Sequence, residues 1–189
     1  GALSNFPAVL AKLASEGFVV ASLEYRLSGE AAFPAQLQDA RAAIRFLKAN
    51  AGQYGIDPAR VGVWGGSAGG HLTALTALSC GDTSLDAAPA VAGSECVQAA
   101  VTWYGVFDFK SMLARGGGNV AENALLRCTP ANCSDQAVRA VSPSSYVDAK
   151  DPPFLLIHGE TDAVVPVSQS RDVEAKMKAA GMTVESIYI

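Results

Sequence analysis

A short apolar run, Val61-Gly62-Val63-Trp64, leads into Gly65-Gly66-Ser67-Ala68-Gly69-Gly70, and an Ala/Leu-rich stretch follows at residues 71–79. The first part reads as a buried strand and the last as a helix. A chain that passes from strand to helix through glycine, alanine and one serine is restricted to a very sharp turn, with the two backbones close together. Gly65, Ser67 and Gly69 form Gly-x-Ser-x-Gly, which between a strand and a helix is the pattern of a nucleophile elbow. On such a turn the serine sits in strained backbone and its hydroxyl is lifted above the sheet edge. The N–H of Ala68 then points to where an oxyanion would form, and the helix N-terminus adds its partial positive charge. The same composition also suits a plain glycine-rich turn that packs a helix onto a sheet. The strand before it and the helix after it favour Ser67 as a nucleophile.

Strand and helix patterns alternate along the rest of the chain. Residues 6–16 carry a helical stripe of Phe6, Val9, Leu10 and Leu13, with Gly17 where a C-cap glycine belongs. Residues 18–23 read as a strand and 25–32 as a loop. Phe33-Pro34 opens a long helix to about Asn50, with Leu37, Ala40, Ile44 and Leu47 as its buried stripe. Residues 54–60 form a turn broken by Asp57-Pro58. After the elbow helix come a polar loop (81–95), a strand (97–104) and a short helix (107–114). A glycine break at Gly116-Gly117-Gly118 precedes small helical pieces to residue 141. A strand at 154–158, a loop at 159–166, an amphipathic helix at 167–180 ending at Gly181, and a final strand within 182–189 complete the order. Continuous apolar strands alternating with helices predict an α/β fold, a mostly parallel sheet with helices on both faces. No linker divides residues 1–189, so a single domain is expected.

The chain has 189 residues, of which 50% are hydrophobic and 17% charged, with a net charge of −4. A packed core is feasible and disorder is not expected. No basic run is present, so nucleic acid is not expected as a partner. The apolar runs are too short to span a bilayer. Cys80 and Cys96 bracket one loop and Cys128 and Cys133 another. Two loop-bracketing pairs predict two local disulfides and an oxidising compartment, hence a secreted or periplasmic protein. Four free thiols are the alternative. Zinc is disfavoured, because neither histidine lies near either pair at ligand spacing. No metal and no cofactor are expected.

A serine nucleophile needs a base, and the base needs an orienting carboxylate. Asp162 is the candidate acid. It lies in His158-Gly159-Glu160-Thr161-Asp162, just past the C-terminal end of a buried strand, where parallel sheets place functional groups. Asp162 could instead form an Asx turn or cap the next helix. Glu160 is a weaker competitor, being nearer the strand end with less freedom to reach over. Only His71 and His158 are present, and both precede Asp162. His71, one helical turn after Ser67, is read as packing structurally, and His158 as hydrogen-bonding nearby backbone.

Seven stretches follow one another as in α/β-hydrolase esterases. They are Glu24-Tyr25-Arg26-Leu27, Phe33-Pro34-Ala35-Gln36, Tyr54-Gly55-Ile56-Asp57-Pro58, Val63-Trp64-Gly65-Gly66-Ser67-Ala68-Gly69-Gly70-His71-Leu72, Trp103-Tyr104-Gly105, Asp151-Pro152-Pro153-Phe154 and His158-Gly159-Glu160-Thr161-Asp162. The chain resembles the hormone-sensitive-lipase-like branch, and most closely the acetylesterases and bifunctional acetyl-xylan/feruloyl esterases. The resemblance implies an α/β-hydrolase fold, Ser67 as nucleophile, Asp162 as triad acid and the Ala68 N–H as one oxyanion donor. It implies a small-molecule or carbohydrate-linked ester as substrate. It also implies a His-Gly-Gly-Gly segment before Gly1, a catalytic histidine after Ile189, and a further strand between those at 18–23 and 61–64, so an internal piece of a longer domain is expected. Two other functions share this fold: a serine peptidase of the prolyl-oligopeptidase type, and a non-catalytic binding protein.

Overall fold

The computed structural model describes residues 7–88, 92–115 and 120–189. The expected helix start at Phe6 and the glycine break at Gly116-Gly117-Gly118 lie outside the described residues. Four strands run parallel in one sheet: β1 (Gly62–Gly66), β2 (Ala99–Trp103), β3 (Phe154–His158) and β4 (Val184–Tyr188), in the spatial order β1-β2-β3-β4. The register pairs Trp64 with Val101, Thr102 with Leu156, and Leu156 with Ser186. Because all four run the same way, the loops after β1, β2 and β3 share one edge of the sheet. Among the described residues the helices are α1 (Pro7–Ser15), α2 (Ala35–Ala49), α3 (Ala51–Tyr54), α4 (Ala68–Leu78), α5 (Phe109–Ala114), α6 (Val120–Leu126), α7 (Asp135–Val141) and α8 (Ser168–Ala179). Single 3-10 turns lie at Thr83–Leu85 and Pro143–Ser145.

The core follows from side-chain alternation along the strands. Ala100, Thr102, Phe154, Leu156 and His158 are buried. Against that sheet pack α4, over β1 and β2, and α8, over β3 and β4, with α2 lying on α4. Ile44, Ala74, Ala77, Leu78, Val173 and Met177 close this core from the helix side. Each fully buried Leu or Met contributes about 1.5–3 kcal/mol. The intervening row, Val101, Trp103, Leu155 and Ile157, is half-buried. Of the stripe expected on α2, Leu37, Ala40 and Ile44 are buried, while Leu47 is half-buried. Two of the glycines end helices as expected: Gly17 (φ +91°) stops α1 and Gly181 (φ +83°) stops α8. The Met182 N–H then donates back to the Met177 carbonyl at 3.0 Å.

One expected strand does not form. Residues 18–23 are irregular, and Phe18 and Val19 are 64% and 57% exposed. An extended segment becomes a strand only when a neighbour supplies the ladder of hydrogen bonds, and no described strand lies beside this one. Its β-forming composition is therefore present without a partner.

Both expected cysteine pairs are disulfides, Cys80–Cys96 and Cys128–Cys133. The loop closed by the first is also fastened to α2 by buried charge. Arg41 donates to Asp86 (2.7 Å) and to the Asp82 and Ser79 carbonyls (2.8 and 2.5 Å). Arg45 donates to Asp86 (2.8 Å), Glu95 (2.7 Å) and the Gly93 carbonyl (3.0 Å). Glu95 accepts in addition from the Gly81 N–H at 2.9 Å. Burial raises the pKa of Asp86 and Glu95, but the hydrogen bonds and the adjacent guanidinium charges outweigh it and hold both carboxylates below the usual range.

The glycines of the β1–α4 turn are not equivalent. A Cβ on Gly65 would lie 2.4 Å from the Gly69 carbonyl oxygen, whereas one on Gly69 meets nothing within 4 Å. Gly65→Ala is therefore expected to destabilise the fold by about 2–4 kcal/mol, the range of severe steric and strain effects. Gly69→Ala, in the first turn of α4, is expected to be neutral or stabilising by up to about 1 kcal/mol. Denaturant unfolding of the two variants checks the contrast, and equal destabilisation would contradict it.

Candidate active site

Ser67 is the residue between β1 and α4, with φ 53° and ψ −120°. That conformation is costly for a residue with a Cβ. It is held because the Ser67 N–H donates to the Trp103 carbonyl at 2.9 Å, while the Ser67 carbonyl accepts from the His71 N–H at 3.0 Å. The helix can approach only because Gly65 and Gly70 lack side chains. A Cβ on Gly70 would sit 3.0 Å from both the Gly105 Cα and the Trp103 carbonyl oxygen. Serine at an N-cap ordinarily accepts from the second or third helical N–H. Here the side chain makes no capping bond and the residue is exposed. Ala68, the first residue of α4, carries an N–H that has no acceptor within the helix. The turn thus presents an uncommitted hydroxyl beside a backbone donor.

The next strand ends in a second unusual conformation. Tyr104, directly after β2, has φ 42°, and its N–H donates to the Ile157 carbonyl at 2.8 Å. Its phenol lies over Gly66, 3.1 Å from where a Cβ there would stand. Local backbone propensity gives no sign of this conformation, although Trp103-Tyr104-Gly105 is among the stretches shared with α/β-hydrolase esterases.

Asp162 lies four residues past the end of β3, on the same sheet edge as Ser67, and its side chain is 21% exposed. Its Oδ1 accepts from the Val164 N–H (2.8 Å) and the Val165 N–H (2.9 Å), an Asx-type turn. Its Oδ2 is 3.6 Å from the His158 Nε2. The competing Glu160 instead points outward and pairs with Arg171 at 2.6 Å, both side chains being more than half exposed. Gln169, at the start of α8, ties this loop to the one after β2. It accepts from the Phe107 and Asp108 N–H groups, both at 2.8 Å, and donates to the Ser111 hydroxyl at 2.7 Å. Arg115 adds a bond to the Val164 carbonyl at 2.7 Å. The local sequence carries no signal for either residue, because their partners lie about fifty to sixty residues away in the chain.

Both histidines are committed elsewhere. His71 is buried, bonded through Nε2 to the Val141 carbonyl at 2.7 Å, with its ring 4.9 Å from that of Phe109. Burial pushes its pKa down to about 4, against a smaller upward pull from the Val141 carbonyl. His158 is fully buried beneath Asp162. Neither Ser67 nor Asp162 lines the two clefts beside α7. Among the described residues no group of three or more His, Cys, Asp or Glu could hold a metal, and no helix is long and apolar enough to cross a membrane.

The buried His71 and the loop carboxyl of Asp151 pull stability in opposite directions with pH. The pKa of His71 is lowered from an ordinary value near 6.5, so its contribution is complete above pH 6.5 and is lost as pH falls toward 4. Burial pushes Asp151 up to about 6, so its contribution is complete below about pH 4 and is lost as pH rises through 6. Asp151→Asn keeps an acceptor for the Asp148 N–H, which donates to Asp151 at 2.6 Å. The variant is expected to melt higher than the wild type at pH 7.5, the same at pH 4, and to lose stability more steeply between pH 6.5 and 4. Thermal melts across that range decide it, and identical melts at pH 7.5 would contradict it.

The parallel sheet, its helices and this turn define an α/β-hydrolase fold of the esterase kind. The BD-FAE family model matches residues 2–177, and the chain belongs to the BD-FAE family. Esterase LipQ of Mycobacterium tuberculosis is 34% identical over 176 residues, covering 92% of this chain and 41% of LipQ. Esterase LipC of the same organism is 33% identical over 175 residues, covering 91% of this chain and 43% of LipC. Among solved structures, the acetyl ester-xyloside bifunctional hydrolase from Caldicellulosiruptor lactoaceticus superposes with TM-score 0.81 at 32% identity, covering 96% of this chain and 64% of that one. The bifunctional GH43-CE of Bacteroides eggerthii superposes with TM-score 0.85 at 35% identity, covering 96% of this chain and 25% of that one. The chain therefore spans about two fifths of the length of the curated relatives it matches.

Proposed function

We propose that the whole protein containing this chain is a serine carboxylic-ester hydrolase acting on small acyl esters. Residues 1–189 contribute the nucleophile and acid as part of a single α/β-hydrolase domain. Ser67, presented by the nucleophile elbow, attacks the ester carbonyl and gives its proton to the base; the alcohol leaves with that proton, the acyl group stays on the Ser67 oxygen, and water then releases it as the acid. The Ala68 N–H, at the positive end of α4, receives the developing oxyanion. Asp162 orients the base through Oδ2, the oxygen its own loop leaves open. With His71 and His158 both engaged, the base is a histidine outside residues 1–189. The observation that carries this reading is the Ser67 hydroxyl, left uncapped and exposed on a strained turn.

Carbohydrate-linked acetyl esters are the favoured substrates, because one solved neighbour is an acetyl ester-xyloside hydrolase. The two disulfides support a secreted or periplasmic site of action. The test is turnover of an activated acetyl ester by the full-length gene product, with mass-spectrometric mapping of a fluorophosphonate adduct. An adduct on Ser67 together with turnover supports the reading. Turnover with the adduct on another serine overturns it.

A further inference from the structure

His158 takes no part in the proposed reaction, yet it is fully buried directly under Asp162. Its hydrogen bonds fix which nitrogen carries the proton. The Val165 carbonyl can only accept, so Nε2, 2.9 Å away, is the donor. A neutral imidazole has one N–H, so Nδ1 is the acceptor. The Ser170 hydroxyl, 2.7 Å from Nδ1, is then its donor. The same Nε2–H faces the Asp162 Oδ2 at 3.6 Å. Val165 returns its own N–H to the Asp162 Oδ1 at 2.9 Å. One buried ring thus holds the backbone that grips one carboxylate oxygen and turns a positive dipole toward the other.

We propose that Ser170 and His158 are positioning residues for Asp162, with the Ser170 hydroxyl holding the His158 ring in place through Nδ1 and His158 fixing the carboxylate. This rests on Asp162 being the triad acid. Without the Ser170 hydroxyl, Nδ1 is left unpartnered in a buried site and the ring is no longer held from that side. A ring that shifts or turns loosens the Nε2–H bond to the Val165 carbonyl and moves that N–H away from Oδ2. The loop would then shift, taking Asp162 out of line. A misplacement of about 1 Å is enough for roughly a hundredfold loss in rate.

The experiment uses the full-length gene product. Long-range 15N NMR of the histidine rings is expected to show His158 protonated at Nε2 and bare at Nδ1 in the wild type, and the same tautomer with a shifted Nδ1 resonance, from loss of its hydrogen bond, in Ser170→Ala. Ser170→Ala is expected to stay folded by circular dichroism and to lower kcat by roughly ten- to a hundredfold, with KM within about twofold. An Nδ1-protonated His158 in the wild type would overturn the proposal, and so would Ser170→Ala with the wild-type kcat. Asp162→Asn separates this from the triad reading. If it is slow while Ser170→Ala is fast, only the positioning role fails. If it keeps the wild-type kcat, the triad assignment fails.

Discussion

Ser67→Ala in the full-length protein is expected to lower kcat on an activated acetyl ester by about 10⁴- to 10⁶-fold, the loss that follows removal of a nucleophile acting in concert with a base. KM is expected to change little, because the hydroxyl makes its energetic contribution in the transition state. Stability separates this from unfolding. A serine that caps a helix contributes about 1 kcal/mol. Ser67 makes no capping bond, so Ser67→Ala is expected to unfold within about 0.5 kcal/mol of the wild type. Ser67→Gly goes further, since glycine adopts φ 53° without the cost a Cβ imposes. It is expected to be more stable than the wild type by about 1 kcal/mol and equally inactive. A residue kept in strain that its removal relieves, at the expense of turnover, is held there for chemistry. Ordinary turnover by Ser67→Ala would end the assignment, and so would a large loss of stability in Ser67→Gly.

Local signals carried most of the fold and failed where the deciding partner is remote. The 154–158 strand was legible to the residue because four apolar residues stand between Pro153 and Gly159, and it forms as β3. The 18–23 segment has the same kind of composition but lacks a neighbour, and composition alone cannot show that. Arg41 and Arg45, spaced four apart, look like one face of a solvated helix. They are buried only because Asp86 and Glu95 fold over them from a loop about forty to fifty residues on. The site divides in the same way. Ser67 and Asp162 each stand at a strand end, a position that periodicity gives away. The supports under Asp162, by contrast, depend on Gln169 and Ser170 falling on the inward side of the first turn of α8. Two polar residues at a helix start read equally well as exposed ones. The positive φ of Tyr104 is not legible from propensity either, since aromatic residues seldom adopt it.

The purified 1–189 polypeptide is expected to match a buffer blank on an activated acetyl ester, however well it folds. A serine at its free pKa is a weak nucleophile and needs a base within hydrogen-bond reach. The sequence contains two histidines. His71 directs Nε2 to the Val141 carbonyl, packs on Phe109, and has its pKa pushed down to about 4 by burial, so it is a poor proton acceptor at neutral pH. His158 has both nitrogens engaged, by Ser170 and by Val165, and is fully buried. Asp162 then has no catalytic imidazole to orient, its Oδ2 facing only the buried His158 at 3.6 Å. Loss of the base alone removes several orders of magnitude of rate. Stopped-flow measurement with a nitrophenyl acetate, on material freed of host esterases, is the decisive readout. A burst of about one equivalent of nitrophenol, with acetyl on Ser67 by mass spectrometry, would show that a base exists within the chain. His71 would then be the first to replace, because it sits one turn of α4 beyond Ser67 and its N–H already bonds the Ser67 carbonyl at 3.0 Å.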